Sequence, residues 1–183
     1  MQIRTILFTD NYLYFLSYSS IVKPKLIIIT GTPTTGKSTL AIALAQKLKF
    51  ERLDLHHYYK SISSGYNKKK QAYNIDKKKF MALVKTKIKN AKRGLIIDSH
   101  ISHLLLSKIV DLCIVLTCSN LKLLQKRLKK RKYSKEKIRE NLDAEIFQVC
   151  LMEAKEMGHK IITFNTSKDT LPKIISKIKL SRK

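Results

Sequence analysis

A glycine-bounded loop early in the chain is the segment best suited to bind phosphate. Residues 31–38 read GTPTTGKS and fit the pattern G-x-x-x-x-G-K-[ST]. In such a loop, backbone N–H groups converge on phosphate oxygens, and the dipole of the following helix adds positive potential. Lys37 would place a cation on the β- and γ-phosphates, and Ser38 would offer its hydroxyl to Mg²⁺. The alternative is an ordinary turn between a strand and a helix.

A second polar group follows the apolar run GLIID, which ends at Asp98. Ligands of parallel sheets bind where the strands end, so this carboxylate can hold Mg²⁺ directly or through water. His100 can orient a water molecule or contact the γ-phosphate. The alternatives are a capping or strand-end role for Asp98 and a hydrogen-bonded structural role for His100. We expect His103 to be structural or solvent-facing.

Two arginines could contact the same phosphates. Arg127 and Arg131 lie four residues apart, so on a helix they share one face. Guanidinium groups match phosphate oxygens and stabilise the charge of a transferring phosphoryl group. The alternative is a solvated basic face, because residues 121–140 contain ten Lys or Arg. Arg139 is a weaker candidate for a phosphate contact.

Alternating apolar runs and helical patterns predict the elements that position these residues. Short continuous apolar runs indicate strands buried on both faces, and they alternate with apolar residues at helical period. This order predicts a parallel α/β sheet covered on both faces. The strand runs are 25–30, 94–98, 110–117 and 160–164, and the helical patterns begin at Lys37, Phe80, Ile138 and Leu171.

Two segments lack such patterns. Residues 58–76 are polar, and we expect them to form a mobile loop. Residues 1–24 differ from a secretory signal because Asp10 and Asn11 interrupt them and no Ala-x-Ala cleavage pattern follows. We therefore expect an N-terminal extension of unknown role followed by one domain over residues 25–183. No apolar run is long enough to cross a membrane.

Composition narrows the functional class. Thirty-eight Lys and Arg against 13 Asp and Glu give a net charge of +25, while 44% of residues are hydrophobic. Such a chain folds and attracts polyanions such as RNA or phosphate-rich surfaces. The three cysteines have no CxxC spacing, which disfavours a disulfide framework or zinc ribbon and indicates a reducing, cytoplasmic compartment.

Four sequence blocks together carry a family resemblance. They read GTPTTGKST (31–39), IIDSHISHL (96–104), RLKKRKY (127–133) and ENLDAEIFQV (140–149). In this combination they resemble the adenylate kinase isoenzyme 6 family, especially its archaeal branch. With the spacing between them, the resemblance covers nearly all of residues 25–183. The chain departs from the family where Thr34 and Lys132 replace the usual glycines. Thr34 adds a Cβ at a position that can require an unusual backbone conformation.

The resemblance implies a compact nucleoside monophosphate kinase fold. This is a P-loop NTPase with a five-stranded parallel sheet flanked by helices, an NMP-binding segment at about 54–77 and a lid at about 130–140. It also implies that Asp98 and His100 matter for turnover and that Arg131 contacts ATP. We expect the block 140–149 to act mainly in packing, with Ile146 and Val149 buried, and Glu145 can orient an arginine. The predicted nucleotide contacts are Gly31, Thr34, Gly36, Lys37, Ser38, Thr39, Arg127 and Arg131, and the predicted Mg²⁺ contacts are Ser38 and Asp98.

The function implied by the resemblance is transfer of a phosphoryl group from ATP to AMP, which yields two ADP. Other nucleoside monophosphates can serve as acceptors, ATPase activity accompanies the transfer, and ATP and Mg²⁺ are the cofactors. An alternative is an ATP-dependent assembly factor for the small ribosomal subunit that contacts a ribosomal protein and pre-rRNA. The chain lacks the N-K-x-D guanine motif of GTPases. The sequence leaves open whether the kinase or the ATPase activity is the physiological one, which acceptor nucleotide is preferred and what the oligomeric state is.

Overall fold

The β-branched apolar runs build a central parallel sheet. A computed structural model describes residues 25–68 and 72–178 of the chain. The five strands of this sheet are all parallel and lie in the order β2-β5-β1-β6-β7. They are β1 (Lys25–Thr30), β2 (Glu51–Asp54), β5 (Gly94–Asp98), β6 (Leu112–Thr117) and β7 (Ile161–Asn165), while β3 (Ser63–Asn67) and β4 (Ala72–Ile75) form a separate antiparallel pair.

Helices cover both faces of the sheet, as the sequence predicts. On β1, Leu26 and Ile28 pack with Phe80 on one face, whereas Ile27 and Ile29 pack on the other face. Each face has its own buried apolar cluster, which confirms the predicted α/β fold with a five-stranded parallel sheet. The helices are α1 (Lys37–Leu48), α2 (Lys77–Asn90), α3 (Leu121–Lys130), α4 (Lys135–Ile146), α5 (Val149–Glu156) and α6 (Leu171–Lys177).

The polar stretch 58–76 forms more regular structure than its composition predicts. Strands β3 and β4 pair antiparallel there, and the rings of Tyr66 and Tyr73 meet across the pair with centroids 5.0 Å apart. Ile62 is buried and anchors the start of the hairpin in the core. A two-stranded ribbon held by cross-strand contacts needs no long apolar period, so the pattern search misses it.

The helix after the predicted lid is two helices. Phe147 follows α4, and Gln148 adopts a left-handed conformation with φ of 50° before α5 begins. This break changes the helical phase, so Ile146 is 54% exposed and Phe147 is 73% exposed. Val149 is half-buried. The expectation that Ile146 is buried is therefore wrong.

The ends of the chain limit two predictions. The predicted N-terminal extension, residues 1–24, lies outside the described residues, as do residues 179–183. Across 25–68 and 72–178, no helix combines the length and the apolar character needed to span a bilayer.

Candidate functional site

A large cleft opens at the carboxyl ends of the parallel strands. Its volume is about 1520 Å³, and it lies between the phosphate loop, the β3–β4 hairpin and the end of α3. This is the edge of a parallel sheet where ligands bind. Most of the residues predicted for the site line it, namely Thr34, Gly36, Lys37, Ser38, Thr39, Asp98, His100, Arg127 and Arg131.

The phosphate loop has the strained backbone that its glycines allow. Gly31 has φ of 136°, and a Cβ there would lie 2.1 Å from the carbonyl oxygen of Leu116. Gly31 does not line the cleft, but its carbonyl accepts a hydrogen bond from Lys37 Nζ at 2.8 Å. Lys37 also donates to the carbonyl of Thr32 at 2.9 Å. Burial lowers the pKa of Lys37 to about 8, so the side chain is mainly cationic at pH 7.

Both departures from the family's glycines fall at left-handed backbone positions. Thr34 in the phosphate loop has φ of 69°, and Lys132 after α3 has φ of 58°. A side chain with a Cβ rarely adopts this conformation. The Thr34 hydroxyl is buried and has no hydrogen-bond partner within the described residues.

Lys132→Gly is expected to be more stable than Lys132→Ala by about 1 kcal/mol. Both variants remove the same charge from a basic segment, so the difference isolates the Cβ in the left-handed conformation. Urea unfolding of the two proteins measures this difference. Equal stabilities would show that the backbone at Lys132 carries no strain.

The buried Asp98 carboxylate is paired with an arginine that sequence analysis missed. Arg52 on β2 donates from Nε to Oδ1 of Asp98 at 2.9 Å and from Nη2 to Oδ2 at 3.1 Å. Asp98 is 3% exposed. Arg52 also donates to Asp54 at 2.9 Å. Arg52 and Asp98 are 46 residues apart in the sequence, so the pair forms no local motif. The strand that carries Arg52 also lies at the edge of the sheet.

His100 is held by a tyrosine of the segment between β2 and α2. The Tyr59 hydroxyl lies 3.2 Å from Nδ1 of His100 and 2.7 Å from the hydroxyl of Ser99. Burial, followed by the positive charge of Lys37, lowers the pKa of His100 to about 4. His100 lines the cleft and is exposed there, so solvent screens part of this pKa shift. Any lowering of the pKa from its usual value of 6.5 leaves the imidazole mainly neutral at pH 7.

His103 is structural, which is one of the two predicted alternatives. It is 2% exposed, so the solvent-facing alternative is wrong. Its Nδ1 lies 2.7 Å from the Thr30 hydroxyl, and its Nε2 lies 2.7 Å from the carboxylate of Glu153. These bonds tie the end of β1 to α5 and support the turn that carries His100.

The basic residues after β6 divide between the cleft and the surface. Arg127 and Arg131 line the cleft, and neither forms an ion pair within 25–68 and 72–178. Arg139 lies outside the cleft lining, near Asp143 at 3.8 Å. Glu145 does not orient an arginine among the described residues. Its buried carboxylate instead accepts the N–H of Cys118 at 2.5 Å and fixes the turn after β6.

Three tyrosines form an aromatic wall in the cleft that the phosphate loop also lines. Tyr59, Tyr66 and Tyr73 line it, with the Tyr59 and Tyr73 ring centroids 6.4 Å apart. Exposed aromatic rings in a cleft can stack on a nucleobase. The polar composition of residues 58–76 concealed this wall, although the recurrence of tyrosine was a usable signal.

The oxygen donors in the cleft suit magnesium. The Ser38 hydroxyl lines the cleft and has no hydrogen bond within the described residues, so it is available as a ligand. Magnesium prefers oxygen ligands, retains several waters and is held by few protein groups together with phosphates. No cluster of three His, Cys, Asp or Glu residues able to hold a metal is found in the described part of the chain.

Comparisons with known proteins agree with this geometry. A family model described as an AAA domain matches residues 27–148. The adenylate kinase isoenzyme 6 homolog of Schizosaccharomyces pombe is 40% identical over 132 residues, which are 71% of this chain and 74% of that protein. The adenylate kinase isoenzyme 6 homolog FAP7 of Saccharomyces cerevisiae is 31% identical over 83% of this chain and 77% of its own length.

A solved structure shares the fold at lower identity. The YorR protein of Bacillus subtilis, crystallised with phosphorylated GDP, superposes with a TM-score of 0.54 at 18% identity. The match covers 83% of this chain and 92% of that chain. The solved structure shows the fold alone, whereas the curated relatives show the family and confirm the resemblance carried by the four sequence blocks. This chain belongs to the adenylate kinase isoenzyme 6 family of P-loop kinases.

Proposed function

We propose that this protein transfers the γ-phosphoryl group of ATP to AMP and hydrolyses ATP when no acceptor is bound. Membership of a nucleotide kinase family supports this class of reaction. The observation that carries the proposal is one cleft that joins a phosphate loop, unpaired arginines and an aromatic wall. In-line phosphoryl transfer requires positioning and charge neutralisation rather than a covalent nucleophile.

The donor phosphates would lie against the phosphate loop. The ammonium group of Lys37 donates hydrogen bonds to two loop carbonyls. Charged phosphate oxygens are stronger acceptors, so bound phosphate would take over these hydrogen bonds. Arg127 and Arg131, without ion pairs among the described residues, would supply guanidinium groups to the transferring phosphate. Gly31 and Gly36 keep the loop backbone close enough to bind oxygens through N–H groups, and Thr34 and Thr39 add hydroxyls.

Neutral His100 would orient the attacking group. Its Nδ1 is engaged by Tyr59, and its Nε2 has no partner within the described residues. The free nitrogen would position an acceptor oxygen or, in its absence, a water molecule. The same site would thus support transfer and hydrolysis.

Magnesium, when bound to ATP, would neutralise charge on the phosphates. Ser38 would hold it, and Asp98 would contact it through water. On the acceptor side, the rings of Tyr59, Tyr66 and Tyr73 would enclose the base of AMP. Stacking on rings discriminates weakly among bases, so other nucleoside monophosphates would also be accepted.

The acceptor proposal is tested by measuring ADP formed per ATP consumed. With AMP, the yield should approach two ADP per ATP, because donor and acceptor both become ADP. Without AMP, the yield should be one ADP and one inorganic phosphate. Parallel reactions with CMP, UMP and GMP measure acceptor breadth, because transfer to them yields one ADP and one CDP, UDP or GDP per ATP. One ADP and one inorganic phosphate per ATP with every monophosphate would leave only ATPase activity.

A second candidate function is ATP-dependent assembly of the small ribosomal subunit, through a ribosomal protein and rRNA. The net charge of +25 and the basic exposed face of α2 favour it. That face and the following turn expose Lys77, Lys78, Lys85, Lys89, Lys92 and Arg93. RNA affinity that falls steeply with salt would support it, because neutralised phosphates release counterions. RNA affinity that is negligible even at low salt would exclude the rRNA contact.

A further inference from the structure

Arg52 donates hydrogen bonds to the carboxylate of Asp98, which sequence analysis predicts to contact magnesium. Its two hydrogen bonds engage both oxygens of Asp98, at 2.9 and 3.1 Å. The Asp98 side chain is 2% exposed and that of Arg52 is 23% exposed. Paired N–H bonds from a guanidinium to both carboxylate oxygens are among the strongest and most directional hydrogen bonds in proteins. Asp98 is therefore neutralised within the protein itself.

Arg52 also connects Asp98 to the start of the aromatic wall. Its Nη2 donates to Oδ2 of Asp54 at 2.9 Å, and Asp54 lies beside Asp98 at the ends of the paired strands β2 and β5. The other oxygen of Asp54 accepts the N–H of His56 and begins the 3₁₀ turn Leu55–Tyr58. One guanidinium thus holds two neighbouring strand ends in register.

This pairing constrains how a metal can use Asp98. Direct coordination would require magnesium to displace the guanidinium from the buried Asp98 carboxylate, and Arg52 would keep only its bond to Asp54. Losing both hydrogen bonds to a buried carboxylate is unfavourable. Magnesium retains waters readily, so a contact through a metal-bound water preserves the pair.

We propose that Arg52 is a positioning residue that keeps Asp98 out of direct contact with magnesium and weakens magnesium binding through its positive charge. Asp98 then orients a water on the metal, and the charge of Arg52 offsets one of the two negative charges of Asp54 and Asp98. The inference rests on the proposed function, because it requires MgATP to bind in the cleft.

The test measures binding of a non-hydrolysable β,γ-imido ATP analogue by calorimetry at a series of magnesium concentrations. Affinity for the analogue should rise with magnesium and then level off. The quantity compared between variants is the magnesium concentration at which half of this rise has occurred. Arg52→Met, which removes the charge at similar side-chain volume, should lower this concentration roughly three- to tenfold, because one net negative charge is added near the cation. Lys108→Met is the control, since it removes one positive charge from an exposed side chain outside the cleft, and it should not change the value.

The double variant Arg52→Met/Asp98→Asn separates water-mediated from direct contact. It removes both charges together, so it avoids a buried unpaired carboxylate and is informative even where Arg52→Met fails to fold. Asn retains an oxygen that accepts from a metal-bound water, so the half-maximal magnesium concentration should stay within about threefold of wild type. A rise of a hundredfold or more would show that Asp98 is a direct ligand and overturn the proposal.

The remaining outcomes are also decisive. An unchanged or increased magnesium requirement in folded Arg52→Met would refute the charge effect of Arg52. If wild-type protein does not bind the analogue at any magnesium concentration, the proposed nucleotide site itself fails, and the inference about Arg52 fails with it. Wild-type binding combined with an unaltered variant separates the two failures.

Discussion

Lys37→Ala is expected to reduce ATP turnover by about a hundredfold or more while the protein stays folded. The substitution removes the ammonium that would oppose negative charge developing on the phosphates, and preorganised groups of this kind have effects of that size. Within the part of the chain that the structure describes, Lys37 donates only to the carbonyls of Gly31 and Thr32 in the loop. The apolar clusters on the two faces of the sheet do not include it.

Lys47→Ala is the matched control for this experiment. Lys47 is an exposed residue in the last turn of the same helix, α1, and lies outside the cleft. The control should keep wild-type turnover, and thermal unfolding of both variants should resemble that of the parent. Near-normal turnover in a folded Lys37→Ala protein would show that the phosphate loop is not the reaction site.

Gly31→Ala is expected to lower the free energy of unfolding by at least about 3 kcal/mol. The new methyl carbon would lie 2.1 Å from the backbone oxygen of Leu116, and the glycine has φ of 136°. Strand β6 cannot move away cheaply, because it is buried between β1 and β7. Urea unfolding of the variant measures the loss.

Gly65→Ala provides the comparison. A Cβ at Gly65 meets no atom of the described residues within 4 Å, so the change in unfolding free energy should be within about 0.5 kcal/mol. If Gly31→Ala were as stable as Gly65→Ala, the close approach of the phosphate loop to β6 would be wrong.

The sheet and the phosphate loop could be predicted because their signals are local and continuous. A run such as KLIIIT has no polar face, so it fits only a strand buried on both sides, and the glycine loop after it fits a turn into α1. Asp98 could be placed at the cleft because a strand end fixes where its side chain lies. These inferences needed only sequence order and the geometry of parallel sheets.

The contacts of Arg52 and Tyr59 could not be predicted, because they join residues about 40 positions apart and depend on strand order. Strand β2 contributes few apolar residues, so nothing in its composition shows that it lies beside β5. The helix break at Gln148 could not be predicted, because no glycine or proline lies there. Such features arise from tertiary packing, which overrides local periodicity.

The fate of the γ-phosphoryl group tests the central claim most directly. Wild-type protein is incubated with Mg²⁺, AMP and ATP that carries a radioactive label in the γ position, and the labelled products are separated. We predict that at saturating AMP the label appears mainly as the β-phosphate of ADP, and that it appears as inorganic phosphate when AMP is omitted. Label found only in inorganic phosphate at every AMP concentration would contradict phosphoryl transfer to AMP.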